Sequence, residues 1–398
     1  MSCVSGSVTN SNRFLLLLLT LQVAACAAGP APIAEPTAKP QPVEQPQVIL
    51  PAAPAPLPDK SAMRISIASV GDMMLGTDYP ENHLPDDDGV GFLADVAPII
   101  SAADIAFGNL EGVLVDGGEP GKKCSNPAAC YLFRSPTRYA KHYRDAGFDV
   151  LSLANNHARD FGEDGRSSSM DALSANGIHH SGREGTAAII QENGLSVVFL
   201  AYAVTKNSNM MLDYELAFET IAAYAEEHDI IVVSFHGGAE GADVTHVPFA
   251  EEEYYGEPRG DVVWFARGAV DAGADLLIGH GPHVVRGMER YKDRLIAYSL
   301  GNFATYYGIS VAGIKGIAPI LTVTLDGRGL FISGEITSTK QLRPAGPSID
   351  GRQRALNLMR GLSIEDFGNP GIKFEQNGLI TTIDRPAVPH HQLVITPN

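Results

Sequence analysis

Five apolar runs in this sequence stop at a residue able to bind a metal ion or carry a proton, and helix-like segments separate them. After Gly273 the run Ala-Asp-Leu-Leu-Ile is short enough for a buried strand, and it ends at Gly279, where the chain must turn. His280 and His283 follow at once. In an open α/β sheet, ligands sit outside the carboxyl ends of the strands, so this stretch places two imidazoles where a crevice would form.

The same construction recurs along the chain. A strand expected from Arg64 to Val70 runs into Gly71-Asp72, and one from Ala103 to Phe107 runs into Gly108-Asn109-Leu110-Glu111. A third, Phe148 to Leu153, ends in Asn155-Asn156-His157, and a fourth, Ile230 to Phe235, ends in His236. Helices are expected over Phe92 to Ala102, Ser135 to Ala146, Asp164 to Asn176, Glu215 to His228 and Arg259 to Ala272. Val197 to Tyr202, Leu295 to Leu300 and Ile317 to Leu325 read as further strands. Alternation of this kind is the signature of α/β architecture. Beyond Asp326 a last strand, Leu330 to Ser338, and a short helix, Ala355 to Leu362, precede an end without usable periodicity. Residues 62–340 therefore form the expected folded body, and 341–398 a C-terminal extension.

Residues 1–26 read as a secretory signal, with Arg13 before a leucine run too short to span a bilayer. The run closes on Leu-Gln-Val-Ala-Ala-Cys, which resembles a bacterial lipobox in which Cys26 is lipidated after cleavage; ordinary cleavage nearby is the alternative. Residues 27–61 are rich in proline and alanine, a composition that removes backbone donors and makes an extended tether. Cys124 and Cys130 sit six residues apart; a disulfide between them fits an oxidising compartment, and a free pair is the alternative. A formal net charge of −17 argues against a broad basic surface for nucleic acid, although it leaves room for a local cationic pocket.

Oxygen donors from Asp72, Glu111 and Asn156, together with nitrogen donors from His236, His280 and His283, make a mixed shell suited to manganese, iron or zinc, as one or two ions. Packing alone does not reward so many polar groups at strand ends.

The blocks Gly71-Asp72-Met73-Met74-Leu75-Gly76, Asn109-Leu110-Glu111, Ala154-Asn155-Asn156-His157, His236-Gly237, Gly279-His280-Gly281-Pro282-His283-Val284 and Ser299-Leu300-Gly301-Asn302-Phe303 resemble, in order, those of the CapA family. That family is associated with poly-gamma-glutamate capsule synthesis, and its fold is similar to that of calcineurin-like metallophosphoesterases. The resemblance implies a four-layer sandwich of two central sheets flanked by helices. It implies that Asp72 is the first metal-binding aspartate and that Glu111 stands where phosphoesterases place a bridging aspartate. Asn156 would be a ligand of a second metal, with His236 and His280 as further ligands and His157 as general acid; His157 and Asp72 would manage protons. Two departures bear on this. Met74 replaces the histidine of the phosphoesterase Asp-x-His block, and Pro282 occupies the place of a second histidine, which falls instead at His283.

Two functions follow as expectations. One is a metal-dependent hydrolase or transferase acting on a phosphoester or on an anionic envelope polymer such as poly-gamma-glutamate. The other is a polymer-binding or scaffold subunit working with other capsule-synthesis subunits. Either would be exported and held to the bacterial cell envelope through Cys26, facing the periplasm or on the outer membrane.

Overall fold

A computed structural model describes residues 59–122 and 131–383. The lipidation expected at Cys26 and the disulfide expected between Cys124 and Cys130 fall outside the described residues.

Two sheets face each other. In the first, Arg64–Met74 is central, antiparallel to Ile317–Asp326 on one side and parallel to Ile105–Leu110 on the other. Val150–Ser152 and His179–Ser181 extend the parallel side; Phe331–Gln341, Leu379–Thr382 and Ile372–Phe374 extend the antiparallel side. The second sheet runs Met288–Tyr291, Arg294–Ala297, Leu276–His280, Ile230–His236, Leu195–Ala203 and Ala188–Glu192, parallel across its middle. Alternate residues of each strand point to opposite faces. Ile65, Ile67, Ile105 and Phe107 thus meet Val197, Phe199, Val232 and Ile278 in the core between the sheets. Phe107 and Phe199 stack across that gap with ring centroids 5.6 Å apart.

The other faces are covered by helices. Ile100, Ala140, Tyr143 and Leu173, from the helices Ala97–Ile100, Ala140–Asp145 and Gly162–Ala175, pack on the first sheet against Val70, Ala106 and Leu151. Ile221, Phe265 and Ala269, from Tyr214–Glu227 and Val262–Asp271, pack on the second against Val198, Ile231 and Leu277. The result is the expected four-layer sandwich.

Several boundaries move for physical reasons. The helix expected over Phe92 to Ala102 is reduced to Ala97–Ile100, preceded by tight turns, because Pro98 in a longer helix would clash with a carbonyl one turn back. The helix expected to begin at Arg259 begins at Val262. Asp261 caps it by accepting the Val263 and Trp264 N–H groups, while Glu257–Gly260 pairs as a strand with Glu252–Tyr254. The short helix expected at Ala355 to Leu362 runs instead over Arg354–Phe367. Together with the strands at Ile372 and Leu379, it contributes Leu356, Met359, Ile372 and Ile380 to the core between the sheets, so residues 341–383 are packed into the body.

Candidate metal centre

The parallel strands of both sheets end at the same rim. Asp72 lies inside its strand, next to register shifts on either side, and bulges of this kind re-aim a side chain. Gly71 is required there: a Cβ would sit 1.9 Å from the Gly301 carbonyl oxygen, and the close approach lets Asp72 N–H donate to that oxygen at 2.9 Å. Across the gap, His236 and His280 are the last residues of neighbouring strands and are paired in register.

Ligand atoms of Asp72, Glu111 and His236 lie within 4.8 Å of one another, and all three residues are buried. His236 Nε2 is 3.2 Å from Glu111 Oε2, and His280 Nδ1 is 3.3 Å from Asp72 Oδ1. His283 Nδ1 sits 2.9 Å from Asp72 Oδ2 and 3.0 Å from Asn302 Oδ1. Its backbone is left-handed (φ 58°), a conformation uncommon for a side chain of this size and often kept at functional sites. Pro282 thus shifts the second histidine by one place, and a left-handed turn brings its ring back to Asp72.

Met74 does not take part. Its side chain is buried against Phe133 and Ile309, and its sulfur accepts the Gly76 N–H at 3.3 Å. Asn156 and His157 make no hydrogen bond or ion pair with Asp72, Glu111, His236 or His280 among the described residues, although the His157 charge reaches Glu111. His157 stacks near Phe133 with ring centroids 4.3 Å apart and bonds Asp160 Oδ2 through Nδ1 at 2.8 Å, while Asn156 Oδ1 is buried with no hydrogen-bond partner among the described residues.

Four polar residues of the site had no role assigned from the sequence, although three of them stand in its motif blocks. Asn109 donates from Nδ2 to Asp72 Oδ1 at 2.9 Å and to Glu111 Oε2 at 2.6 Å, tying the two carboxylates together. Asn155 donates to Asn109 Oδ1 at 3.0 Å and accepts the His157 N–H at 3.0 Å. Asn302 faces Asp72 in register and contacts His283, and Asp160 orients His157. A signal existed for Asn109: it lies two residues before Glu111. In extended backbone that spacing puts both side chains on one face, and it carries over to Glu111, one residue past the end of the strand.

Burial by itself raises the Asp72 carboxyl; the hydrogen bond of His283 and the closeness of the His280 ring, with the charges of both, outweigh it and hold the group well below the usual carboxylate range. Glu111 behaves alike: burial opposes ionisation, but the charge of the His236 ring beside it brings it down to about 2. Burial pushes His283 down, yet the Asp72 hydrogen bond and charge carry it up to about 9 from 6.5. Because the folded value is the raised one, this pair contributes stability that is fully present below 6.5 and lost as pH rises through about 9.

The donor set fits a divalent cation. Glu111 Oε1, both ring nitrogens of His236 and both of His280 are buried with no hydrogen-bond partner among the described residues. Buried polar atoms left so are costly and call for an ion or another partner. A cation must displace the His283 proton, so its affinity is expected to rise with pH up to about 9 and then level off. Calorimetric titration in buffers of different ionisation enthalpy checks this. An affinity flat between about pH 6 and 9, with no proton release, would count against His283 at the centre.

The family model for the bacterial capsule synthesis protein PGA_cap matches residues 66–307. The capsule biosynthesis protein CapA of Bacillus anthracis is 27% identical over 281 residues, covering 63% of this chain and 62% of that protein. The PGA biosynthesis protein CapA of Bacillus subtilis (strain 168) is 29% identical over 257 residues, covering 60% of this chain and 63% of that protein. The match thus spans less than two thirds of the length of either relative. Among solved structures, a putative 5'-nucleotidase from Staphylococcus aureus aligns at a TM-score of 0.43 and 14% identity, over 75% of this chain and 58% of that one. The span 66–307 takes in every strand end that builds the centre, from Asp72 to Asn302, and the chain belongs to the bacterial capsule synthesis protein PGA_cap family.

Proposed function

We propose that this protein is a metal-dependent hydrolase or transferase acting on an anionic capsule polymer such as poly-gamma-glutamate, held to the cell envelope through a lipidated Cys26. The observation that carries the catalytic part is the convergence of buried, partnerless donor atoms of Glu111, His236 and His280 on Asp72. Family membership and the names of the two CapA relatives support the polymer. Asp72, Glu111, His236, His280 and His283, with Asn156, would hold one or two ions of manganese, iron or zinc. Such an ion, when bound, polarises the scissile group and makes bound water nucleophilic near neutral pH.

The chain's own residues do the rest. Asn109 fixes both carboxylates, so neither swings away when substrate enters. Asp160 accepts from His157 Nδ1–H, which sets the ring and favours its imidazolium form, and the second proton of that form, on Nε2, is the one handed to the leaving group, returning the ring to its neutral Nδ1–H state. Phe133 packs against that ring, with the centroids 4.3 Å apart and the planes tilted by 36°.

Incubation of the manganese-loaded full chain with poly-gamma-glutamate, followed by product sizing, tests this reading. His157→Ala is expected to slow turnover by about 10²–10⁴-fold while the metal stays bound. One observation favours the non-catalytic alternative, a polymer-binding subunit: Met74 lies in an apolar cluster where a phosphoesterase has a histidine ligand. Turnover by the wild type no faster than by Asp72→Ala, with polymer still bound, decides for that alternative.

A further inference from the structure

Beside the centre lies a cavity of about 230 Å³ whose wall carries four cations, Lys122, Arg159, Arg166 and Lys206. Such a concentration of positive charge stands out in a chain of net charge −17. Their carboxylate partners are too few to neutralise them. Glu163 is shared by three guanidinium groups, Arg159 at 2.6 Å, Arg166 at 2.6 Å and Arg183 at 2.9 Å. Asp160 is shared between His157 and Lys122, whose Nζ is 3.6 Å from Oδ1. Lys206 is exposed and forms no ion pair among the described residues, although Glu184 and Asp213 line the adjoining cavity that it also borders. One carboxylate facing three arginines leaves a positive excess, and walls of low dielectric focus it into the cavity.

The cavity is also joined to the centre. Asn155 and Asn156 line it, and Asn155 donates to Asn109, which in turn holds both Asp72 and Glu111. An anion seated here would lie beside the reacting group without competing for Asp72, Glu111 or His236.

We infer that this cavity is a subsite for a second anionic group of the substrate, a carboxylate or phosphate neighbouring the group at the metal centre. The inference rests on the proposed function and sharpens it: the preferred substrate is a polyanion, recognised by at least two of its charges. Arginine forks suit a planar or tetrahedral oxyanion, and the lysines add charge without demanding a fixed geometry. The volume admits a small anionic unit and is below that of a site for a drug-sized ligand.

Calorimetric titration of the manganese-loaded full chain with a short oligo-gamma-glutamate, its uncharged α-amide form and inorganic phosphate tests the subsite. Lys206 is exposed, so Lys206→Ala and Lys206→Glu are expected to fold and keep their metal content. Loss of one charged contact is expected to weaken binding of the acidic oligomer by about tenfold, and Lys206→Glu by more. Arg159→Ala is expected to act in the same direction, and raising salt to erase the differences, while the amide form responds to none of these changes. Oligomer affinity unaltered in both Lys206→Glu and Arg159→Ala overturns the subsite, whereas the metal-centre reading then stands or falls by Asp72→Ala alone. If the wild type ignores the oligomer but binds phosphate with the same sensitivity to Lys206→Glu, the subsite holds and the polymer reading fails.

Discussion

Replacing Asp72 with asparagine is expected to lower divalent-cation affinity by more than about 100-fold, since losses of 10–100-fold follow from changes to groups that merely orient a ligand. Asparagine keeps the shape, so the core around residue 72 should pack as before; what it removes is the charge. Asp72 is fully buried and sits against His280, His283 and Asn109 at 3.3, 2.9 and 2.9 Å. Without its charge, Glu111 is the remaining carboxylate of the cluster, and His283 loses the partner that raises its pKa. Metal content after dialysis and calorimetric affinity, measured beside wild type, check this. In the wild type, stripping the metal with a chelator should lower the melting temperature, because a ligand bound only by the folded state stabilises it by mass action. The variant should show no such chelator effect. Full metal retention by Asp72→Asn would place the ion elsewhere and remove the basis of the catalytic reading.

How much of this centre was legible beforehand follows from what a strand does to a sequence. His236 and His280 end runs that are apolar because both faces of their sheet are covered, and such runs are visible without any structure. Parallel pairing then brings their ends to one rim, so the fold class and the rim could be read together. What could not be read is side-chain direction. Asn109 sits in a block whose glutamate draws the eye, yet it is Asn109 that spans both carboxylates. His283 looked displaced by Pro282, and only a left-handed backbone returns its ring to Asp72. Arg259, expected to start a helix, lies instead in a strand, fully buried, 3.0 Å from Glu240. Residues 341–383 were hardest to place, since a helix that completes a core between distant strands leaves little local trace of its partners.

Glu252→Ala is expected to destabilise the protein by about 3–5 kcal/mol, because it strands a buried guanidinium. Arg286 is fully buried and meets Glu252 through two bonds of 2.8 and 2.6 Å; its Nε donates to the Val244 carbonyl at 2.9 Å. Glu252 also accepts the Ala239 N–H at 2.9 Å. The pair therefore clamps the loop that follows His236 and carries Glu240 to within 3.8 Å of His283. Desolvation opposes a buried ion pair, so the net value of having both charges is small even though breaking the pair is costly. This difference gives a sharp test. The double variant Arg286→Met, Glu252→Ala removes the stranded charge and should recover part of the loss, leaving mainly the unpaired Val244 carbonyl and Ala239 N–H, both only half-buried and so costing about 1 kcal/mol each. Thermal unfolding should thus show a fall on the order of 10 °C for Glu252→Ala and a smaller one for the double variant. Metal affinity should fall in both, because the loop beside His236 and His283 loses its clamp in both. A single variant as stable as wild type would mean that the loop is held by its backbone alone, and the position of Glu240 beside His283 would then owe nothing to the ion pair.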